Sequence, residues 1–528
     1  MVIIRKVNES YLKIECELDV ARLISDKFSF MAANYHFMKK SRPNWNGRIK
    51  LFDYRTNLLP AGCYDKLISL LDENGYDHRT EGEVKKEFNV TDESLRTFMT
   101  DRLKVDTSEM NQEQLEYQID AALMTFKNNK NIILLPTGAG KSFAQFLVAN
   151  KAIAKGFKKI LMIVPTINLV NQMEFDFLDY GKNIQSYGDL IHKIYSGQEK
   201  TSNKKIHIST WQSLSSIMKS KLTLPNGEPW LSQFDCLLVD EVHGAESGVQ
   251  LANIVSSCVN AKIKLGMTGT LSGDKIKREQ IEALFGPILF VSDRETNKDI
   301  DTNLLIEKGI LTDYDIKMLV FKYPEEEKKK FNSELKRIKK ELGEKFPDGI
   351  PKKDLQLAKY NFEMDYLKGS KIRTRKLLQL VKATKGNTLV LFKNVEYGEY
   401  LAELADKYTG KKVYLIHGSI NKDERERIRQ VIDTETDVIL FGSTQILSTG
   451  INIKSLSHLI FSQGSKGRIK IFQSLGRLLR KFEGKYSSKF IDIVDDINGK
   501  NFSYQHALVR IDLYDEQASK YSIKEIYL

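Results

Sequence analysis

The stretch "LLPTGAGKS", Leu134–Ser142, decides the fold class because it has the composition of a phosphate-binding loop. An apolar run, "NIILLP" (131–136), precedes it, and a helix-like segment, "KSFAQFLVANKAIAK" (141–155), follows it. Glycines allow a tight turn whose backbone N–H groups face phosphate oxygens beside a helix N-terminus. The ammonium of Lys141 can reach β- and γ-phosphate oxygens, and the hydroxyl of Ser142 can ligate Mg²⁺. The sequence therefore predicts a site for ATP and Mg²⁺ after a buried strand.

One position of the loop departs from the full GxxxxGK[ST] pattern, because Leu135 stands where the first glycine is usual. Many motor ATPases tolerate another residue there, so the prediction of a nucleotide site stands. The residues expected around the phosphates are Pro136, Thr137, Gly138, Ala139, Gly140, Lys141 and Ser142.

The segment "CLLVDEVH" (236–243) predicts the second half of the site. Two acids at the end of a buried apolar strand are costly unless they face a metal ion or a reacting water. Asp240 is expected to hold Mg²⁺, and Glu241 is expected to polarise the attacking water. The alternative is a turn at the strand end with two solvated acids.

Short apolar runs alternate with helix-like segments from about residue 131 onward, which indicates parallel α/β sheets with strands buried on both faces. The first series is "NIILLP", "KILMIVPT", "KIHIST", "CLLVDEVH" and "IKLGMTGT". The second series is "NTLVLF", "KVYLIHG", "DVILFGST", "LSHLIFSQG" and "KFIDIVDD". Two such series predict two α/β lobes.

The charged segment Glu325–Lys345 lies between the two series. Its apolar residues recur at spacings of four, three and four, which predicts an amphipathic helix. These residues are Phe331, Leu335, Ile338 and Leu342. The "FPDGIP" that follows should end the helix, and its charges are most simply a solvated face.

The segment "QSLGRLLRK" (473–481) places Gln473, Arg477 and Arg480 on one face of a helix. A surface helix often carries two arginines, so the segment alone carries little weight. This second series lacks a phosphate loop, and the segment therefore suggests arginine fingers that complete the ATP site. Such fingers contribute roughly 10³–10⁵ in rate.

Ten motifs from about Leu115 to Asp496 resemble, in their order, those of the superfamily 2 helicases of the DExH type. The motifs are "EYQ", "LPTGAGKS", "VPTINLVNQ", "STWQS", "DEVH", "GMTGTL", "TLVLF", "LIHGSI", "STGINI" and "QSLGRLLR". The resemblance implies two tandem RecA-like (P-loop NTPase) lobes with parallel sheets, preceded by a small α+β N-terminal domain. We place these domains at residues 96–312, 313–528 and 1–95.

The resemblance also implies roles for single residues. Gln118 would bind adenine, and Gly450 and Asn452 would lie near the nucleotide. Many relatives carry an acid at position 452, which puts contacts to the sugar in doubt. Residues that would couple the ATP state to the nucleic acid are His243, Thr268, Thr270 and Gln473. Residues that would contact a bound strand are Thr166, Thr210, Trp211 and Thr449.

The N-terminal region contains a basic aromatic segment, "FMKKSRPNWNGRIKLFDYR" (37–55), with six cations and one acid. Cations neutralise phosphates, and aromatic rings can stack on bases exposed at a fork. The alternative is a hairpin with buried aromatic rings and a solvated basic face. The overlapping stretch "NWNGRIKLFDYRTNLLPAG" (44–62) is similar to the leading domain of tailed-phage helicases that act on branched DNA and R-loops. The expected nucleic-acid contacts are Lys39, Lys40, Arg42, Trp45, Arg48 and Lys50.

Composition agrees with a protein that meets a polyanion. Lys and Arg number 81 against 69 acids in 528 residues, which gives a net charge of +12. Four widely spaced cysteines without a CxxC pair predict a reducing compartment rather than disulfides or zinc. Neither a signal peptide nor a membrane span is evident, so we expect a cytoplasmic protein, in the host cytoplasm if the chain is viral.

The leading hypothesis is an ATP-dependent DNA helicase or translocase for recombination, repair and replication. Its substrates would be single-stranded or forked DNA, Holliday junctions and R-loops, with their RNA–DNA hybrid. An RNA helicase and a duplex-DNA translocase without strand separation remain alternatives, as does a nucleotide-gated binding module. One chain carries both halves of the site, so we expect a monomer. We expect no membrane partner, because the sequence shows no membrane span.

Overall fold

The computed structural model of the 528-residue chain divides into two compact units, residues 1–305 and 306–528. The structure describes residues 1–31, 46–108, 110–246, 249–271, 274–346, 349–444, 453–463, 476, 478–479, 481–482, 485, 487–516 and 520–528. Within these ranges, no helix combines the length and the apolar composition that a membrane span requires.

The first unit contains thirteen of the described strands. They are β1 (Val2–Lys6), β2 (Tyr11–Glu15), β3 (Ser29–Met31), β4 (Arg48–Lys50), β5 (Leu58–Pro60), β6 (His78–Glu81), β7 (Lys130–Leu134), β8 (Ile160–Val164), β9 (Ile191–Ile194), β10 (Ile206–Thr210), β11 (Cys236–Asp240), β12 (Ile263–Thr268) and β13 (Ile288–Phe290). Its helices are α1 (Leu18–Lys27), α2 (Tyr64–Glu73), α3 (Asp92–Thr97), α4 (Gln112–Asn128), α5 (Lys141–Ala154), α6 (Ile167–Tyr180), α7 (Trp211–Lys219), α8 (Val249–Ser257) and α9 (Lys275–Phe285). A short helix, α10 (Thr302–Glu307), contains the boundary between the units.

The second unit contains the other described strands and helices. The strands are β14 (Asp313–Lys322), β15 (Thr388–Phe392), β16 (Val413–Ile416), β17 (Ile439–Ser443), β18 (His458–Phe461), β19 (Ser487–Asp496) and β20 (Tyr521–Tyr527). The helices are α11 (Glu325–Lys345), α12 (Lys352–Gly369), α13 (Lys371–Ala383), α14 (Val395–Thr409), α15 (Lys422–Thr434) and α16 (Phe502–Glu516).

Each unit is built on a seven-stranded parallel sheet. The strand order is β13-β7-β12-β11-β8-β10-β9 in the first unit and β16-β17-β15-β18-β19-β14-β20 in the second. All five residues of β8 are buried, as expected of a strand covered on both faces. The prediction of two parallel α/β lobes is therefore confirmed.

The ten predicted strands all form, and the predicted helix α11 has the predicted bounds, with Phe331 in the core. The sequence interpretation missed β9 and β13, which are short edge strands of the first sheet, and it missed β14 and β20 in the second. The edge strands β9, β13 and β20 carry few buried apolar residues, so their sequences lack the continuous apolar run that revealed the other strands. The strand β14 lies between β19 and β20, and the exposed polar residues Asp313, Asp315 and Lys317 interrupt the apolar pattern of its first half.

The N-terminal region forms a mixed four-stranded sheet in the order β5-β2-β1-β6, with a separate β3–β4 hairpin. Its core extends to Ala283 of α9. A Cβ atom on Gly62 would lie 2.3 Å from the carbonyl oxygen of Glu282, so this glycine allows the two backbones to touch. The small domain therefore packs directly on the seven-stranded sheet's helical layer.

Buried charged groups hold the same contact. Lys130 Nζ lies 2.7 Å from Glu9 Oε2, and Lys264 Nζ donates to Ser10 Oγ at 2.7 Å. Burial lowers the pKa of Lys264 to about 8. Both lysines lie at the amino ends of their strands, β7 and β12. The N-terminal domain therefore docks where the strands of the parallel sheet begin, whereas the phosphate loop emerges from the opposite, carboxyl ends of the strands.

Candidate functional site

The phosphate loop joins the carboxyl end of β7 to the first residue of α5, as predicted. Gly138 and Gly140 adopt positive φ values of 90° and 79°. A Cβ atom on Gly140 would lie 2.1 Å from Gln118 Nε2, so a larger residue fits neither the backbone nor the space. The backbone N–H groups at the start of α5 suit an anion.

Leu135 explains the departure from the glycine pattern. Its side chain is fully buried, and its N–H donates to the carbonyl oxygen of Thr268 at 3.0 Å. This position therefore belongs to the core and to the contact between β7 and β12, and it has no need of a glycine's conformational freedom.

Gln118 clamps the loop from helix α4. Its Nε2 donates to the carbonyl oxygens of Ala139 and Gly140 at 3.0 and 3.3 Å. Its Oε1 is buried and has no hydrogen-bond partner among the described residues. An unpartnered acceptor beside a phosphate loop is a suitable group for an amino group of a ligand.

The acid pair lies at the carboxyl end of β11. Glu241 has a φ of 51°, a left-handed conformation that costs a non-glycine residue about 1 kcal/mol or more. Lys141 Nζ is 3.9 Å from Glu241 Oε1. The structure therefore brings the predicted lysine and the predicted water-polarising acid together across the loop.

Two coupling residues predicted from the sequence contact the same carboxylate. Thr268 Oγ1 donates to Glu241 Oε2 at 3.2 Å. His243 Nδ1 lies 2.9 Å from Thr268 Oγ1 and 3.3 Å from Glu241 Oε2. Thr270 joins through its backbone, since its N–H donates to Thr268 Oγ1 at 3.3 Å. The end of β12 is thus hydrogen-bonded to the acid pair.

The two acids have opposite pKa shifts. Burial, and then the charge of Glu241, raise the pKa of Asp240. Burial also opposes ionisation of Glu241, but the charge of Lys141 and the hydrogen bond from His243 outweigh it and lower the pKa of Glu241. Glu241 is therefore held as a carboxylate, whereas the charge of Lys141 does not offset the burial of Asp240 and the charge of Glu241 beside it.

The oxygen donors at this site fit Mg²⁺. Asp240 Oδ1 is buried with no hydrogen-bond partner within the described ranges, and Ser142 supplies a hydroxyl at the start of α5. The described residues hold no group of three or more His, Cys, Asp or Glu side chains suited to a metal ion. This pattern suits Mg²⁺, which usually takes one or two protein oxygens and completes its shell with phosphate and water.

Thr166 and Thr210, which we predicted to contact a bound nucleic-acid strand, are the N-cap residues of α6 and α7. Thr166 follows β8, and Thr210 is the last residue of β10. The two strands are parallel neighbours, with Thr210 opposite Val164. The two helix N-termini therefore lie at the same edge of the sheet, where they favour phosphate groups. Trp211 packs partly against the core of the unit, so only part of its ring is accessible.

The basic N-terminal segment is described in part. Arg48 Nη1 contacts Asp26 Oδ1 at 3.3 Å, and Lys50 Nζ lies 5.0 Å from the ring centre of Tyr54. Phe52 is fully buried, so it belongs to the core and not to a base-stacking surface. The other predicted contacts lie outside the described residues: Lys39, Lys40, Arg42 and Trp45.

All six predicted site residues of the second unit also lie outside the described residues. They are Thr449, Gly450, Asn452, Gln473, Arg477 and Arg480. Their neighbours Leu478 and Leu479 are buried, and the N–H of Thr312 donates to the carbonyl oxygen of Leu479 at 2.7 Å. The segment between the two predicted arginine fingers is therefore anchored in its unit.

The structure adds residues that the sequence interpretation missed. The hydroxyl of Tyr180 lies 3.0 Å from Ser142 Oγ. Arg294 contacts Asp92 at 2.8 Å and Asp120 at 2.8 Å, which ties α3 and the Gln118 helix to the segment after β13. Isolated tyrosines and arginines far apart in the chain carry no spacing signal, so only the fold reveals these contacts.

Three family models match separate parts of the chain. The model described as "DNA helicase UvsW, N-terminal" matches residues 3–80, and the model described as "Type III restriction enzyme, res subunit" matches residues 107–273. "Helicase conserved C-terminal domain" matches residues 372–481. These matches cover the N-terminal domain, the phosphate-loop unit and the segment with the predicted arginine fingers.

Curated relatives align over most of the chain. The ATP-dependent DNA helicase uvsW of Enterobacteria phage T4 is 29% identical over 538 aligned positions, which cover 98% of this chain and 98% of the relative. The DNA 3'-5' translocase XPB2 of Sulfurisphaera tokodaii is 25% identical and covers 76% of this chain and 84% of its own.

A solved structure of S. cerevisiae Dbp5, bound to RNA and ADP BeF3, has a TM-score of 0.50 and 14% identity. The match covers 81% of this chain and 95% of that chain. At this identity the likeness concerns the fold alone. Together with the sheets described above, it confirms the predicted RecA-like class.

Replacing Leu135 with the consensus glycine should destabilise the first unit. The change removes a fully buried side chain, which we expect to cost about 3 kcal/mol and to lower the melting temperature by roughly 5 °C. Thermal unfolding monitored by circular dichroism measures this shift. The matched control Leu135→Met conserves volume and should change the melting temperature little. An unchanged melting temperature with tighter nucleotide binding would show that position 135 acts as part of the loop.

Proposed function

The chain belongs to the superfamily 2 helicases, and on that basis we propose that it is an ATP-driven motor that unwinds or branch-migrates DNA. The observation that carries the proposal is the contact set around Glu241, which joins Lys141 of the phosphate loop to Thr268 and His243. A passive nucleotide-binding module does not need such a hydrolytic apparatus. The protein is an ATP-hydrolysing enzyme with helicase or translocase activity.

ATP is the substrate of the proposed site. Its triphosphate would lie on the backbone N–H groups of residues 136–142, with Lys141 against the β- and γ-phosphate oxygens. The buried Oε1 of Gln118 would accept from the adenine amino group, which supplies the partner that this oxygen lacks. Gly450 and Asn452 of the second unit would complete the nucleotide contacts, as the sequence resemblance implies.

Ser142 and Asp240 would hold Mg²⁺ through oxygen atoms. When bound, Mg²⁺ offsets negative charge on the phosphate oxygens of the substrate. The chain contributes the unpartnered Oδ1 of Asp240 and the hydroxyl of Ser142. The raised pKa of Asp240 is consistent with a carboxylate placed to meet a cation.

Glu241 would orient the attacking water and accept its proton. The lowered pKa keeps this carboxyl group ionised at neutral pH, so it can accept a hydrogen bond from water. Thr268 and His243 fix the other carboxylate oxygen, Oε2. A change in charge near Glu241 during hydrolysis would therefore alter its hydrogen bond with Thr268 at the end of β12. This link supports the proposed coupling role of Thr268, Thr270 and His243.

The second unit would supply Arg477 and Arg480 as arginine fingers, and Gln473 would take part in coupling. The proposal is supported by their spacing on one helix face and by the resemblance to the family. Cations that reach the transferring phosphoryl group only when the units close would link hydrolysis to movement. Each cycle would then shift the grip of one unit along a strand.

The nucleic acid would cross the carboxyl edge of the first sheet. Thr166 and Thr210 begin two helices at this edge, and helix N-termini favour phosphate groups without reading bases. Trp211 and, in the second unit, Thr449 would add contacts to the same strand. Backbone contacts make such a motor tolerant of sequence. We propose DNA as the nucleic acid because two of the relatives that align over most of the chain are a DNA helicase and a DNA translocase.

The N-terminal domain would direct the motor to branched DNA, such as forks, four-way junctions and R-loops with their RNA–DNA hybrid. The match to the UvsW N-terminal model over residues 3–80 supports this role. Arg48 and Lys50 are exposed residues of β4, which pairs with β3. We further propose that the protein acts as a monomer in the cytoplasm, in recombination, repair and replication.

The proposed function predicts which nucleic acid stimulates ATP hydrolysis. Single-stranded DNA, forked DNA, a four-way junction, an R-loop and duplex RNA are compared at one salt concentration. Forked or junction DNA should stimulate turnover several-fold more than duplex RNA, and a strand-displacement assay should show unwinding. Lys141→Ala should lower turnover by roughly 10²–10³ and retain DNA binding, since it removes a cation from the phosphates. Better stimulation by RNA would indicate an RNA helicase, and no stimulation by any nucleic acid would indicate a nucleotide-gated binding module.

The role of the N-terminal domain predicts a change in salt dependence. Substituting Lys39, Lys40 and Arg42 with alanine should weaken junction binding. It should also make the slope of log binding constant against log salt concentration shallower by up to about 3, because each lost phosphate contact changes that slope by about 0.9. Binding measured by fluorescence anisotropy across a salt series checks this result. ATP hydrolysis stimulated by long single-stranded DNA should persist.

A matched control removes three exposed lysines from α11, namely Lys329, Lys336 and Lys340. Equal loss of junction affinity in both triple variants would show that only net charge matters and would contradict a specific site. Deletion of the whole domain is a poorer test, because it leaves the buried Lys130 and Lys264 without Glu9 and Ser10.

A further inference from the structure

A tyrosine at the end of helix α6 contacts the hydroxyl group expected to bind the metal ion. Tyr180 is the last residue of α6, and its hydroxyl lies 3.0 Å from Ser142 Oγ at the start of α5. The two residues are 38 positions apart in sequence, so the fold alone brings them together. The contact is part of the loop's immediate surroundings and involves the residue that follows Lys141.

The tyrosine ring is held in place by aromatic side chains of α5. Its centroid lies 5.0 Å from that of Phe143 and 5.4 Å from that of Phe146, in edge-on pairs with interplanar angles of 83° and 65°. Phe177 packs edge-on against Phe146 at 5.3 Å, one turn earlier on α6. Edge-to-face pairs of this kind fix ring orientation, so the Tyr180 oxygen is presented to Ser142 from a rigid support.

The chemistry of a hydroxyl ligand gives this contact a function. A serine oxygen that binds a cation uses a lone pair, and its proton must then point to another acceptor. We propose that Tyr180 is a positioning residue: its hydroxyl oxygen accepts the Ser142 proton and thereby turns a serine lone pair toward Mg²⁺. The inference rests on the proposed function through the assignment of Ser142 as a metal ligand.

A second tyrosine in the same aromatic cluster offers a matched control. Tyr187 packs 5.7 Å from Phe146, and its hydroxyl exchanges hydrogen bonds with the side chain of Asn150, at 2.8 and 3.1 Å. Asn150 lies on the same helix as Ser142 but more than two turns further along. Removing the Tyr187 hydroxyl therefore disturbs the same helix, α5, without touching the proposed metal ligand.

The experiment measures the affinity of full-length protein for a fluorescent ADP in Mg²⁺ and in EDTA. The ratio of the two affinities is the Mg²⁺-dependent gain. Tyr180→Phe should reduce this gain by roughly three- to ten-fold, which is the range for one lost hydrogen bond, and it should leave the affinity in EDTA unchanged. Tyr187→Phe should retain the full gain. Melting curves establish whether both variants fold. We expect that they do, because a Tyr→Phe substitution retains the aromatic ring.

The Ser142→Ala variant separates the two levels of the proposal. A gain that is lost in Ser142→Ala but complete in Tyr180→Phe overturns the positioning role and leaves Ser142 as a metal ligand. A complete gain in Ser142→Ala overturns both assignments. Equal losses of affinity in Mg²⁺ and EDTA for Tyr180→Phe would also overturn the inference, since they would show a structural effect on the loop.

Discussion

The partial burial of two adjacent carboxylates, Asp240 and Glu241, at the end of β11 is the constraint on which the proposed ATP site depends. Like charges in a desolvated setting are unfavourable unless cations and hydrogen bonds offset them. Lys141, Thr268 and His243 meet this need at Glu241, while Asp240 keeps an unpartnered oxygen. A chain whose only task was to form a stable sheet would gain nothing from this arrangement, whereas a site for a cation and a phosphate requires it.

The same interactions connect the site to the rest of the first unit. The strand β12 contacts the phosphate loop through the hydrogen bond from Leu135 to Thr268, and it contacts the acid pair through the Thr268 side chain. The opposite end of β12 carries Lys264, which is buried against Ser10 of the N-terminal domain. One strand therefore spans the distance from the domain that we propose to recognise branches to the site that we propose to hydrolyse ATP.

Much of this organisation could be predicted from the sequence because buried parallel strands and phosphate loops have strong local signals. The apolar runs located every interior strand of the two seven-stranded sheets except β14, and the spacing of Phe331, Leu335 and their neighbours predicted α11. Contacts between residues far apart in sequence could not be predicted, since periodicity carries no information about them. Tyr180 on Ser142 and Gly62 on α9 belong to this class. The aromatic residues of the basic segment could not be divided into buried and accessible ones from composition, and Phe52 proved to be buried.

The most direct test of the central claim is ATP hydrolysis and ATP binding by Glu241→Gln, measured in the same preparation with forked DNA present. The substitution keeps the size of the side chain and removes the charge that would accept a proton from water. We predict that hydrolysis falls by roughly 10²–10⁴ while the affinity for ATP stays within a few-fold of wild type. Hydrolysis at the wild-type rate would contradict the account, because the contact set around this carboxylate would then serve only the fold.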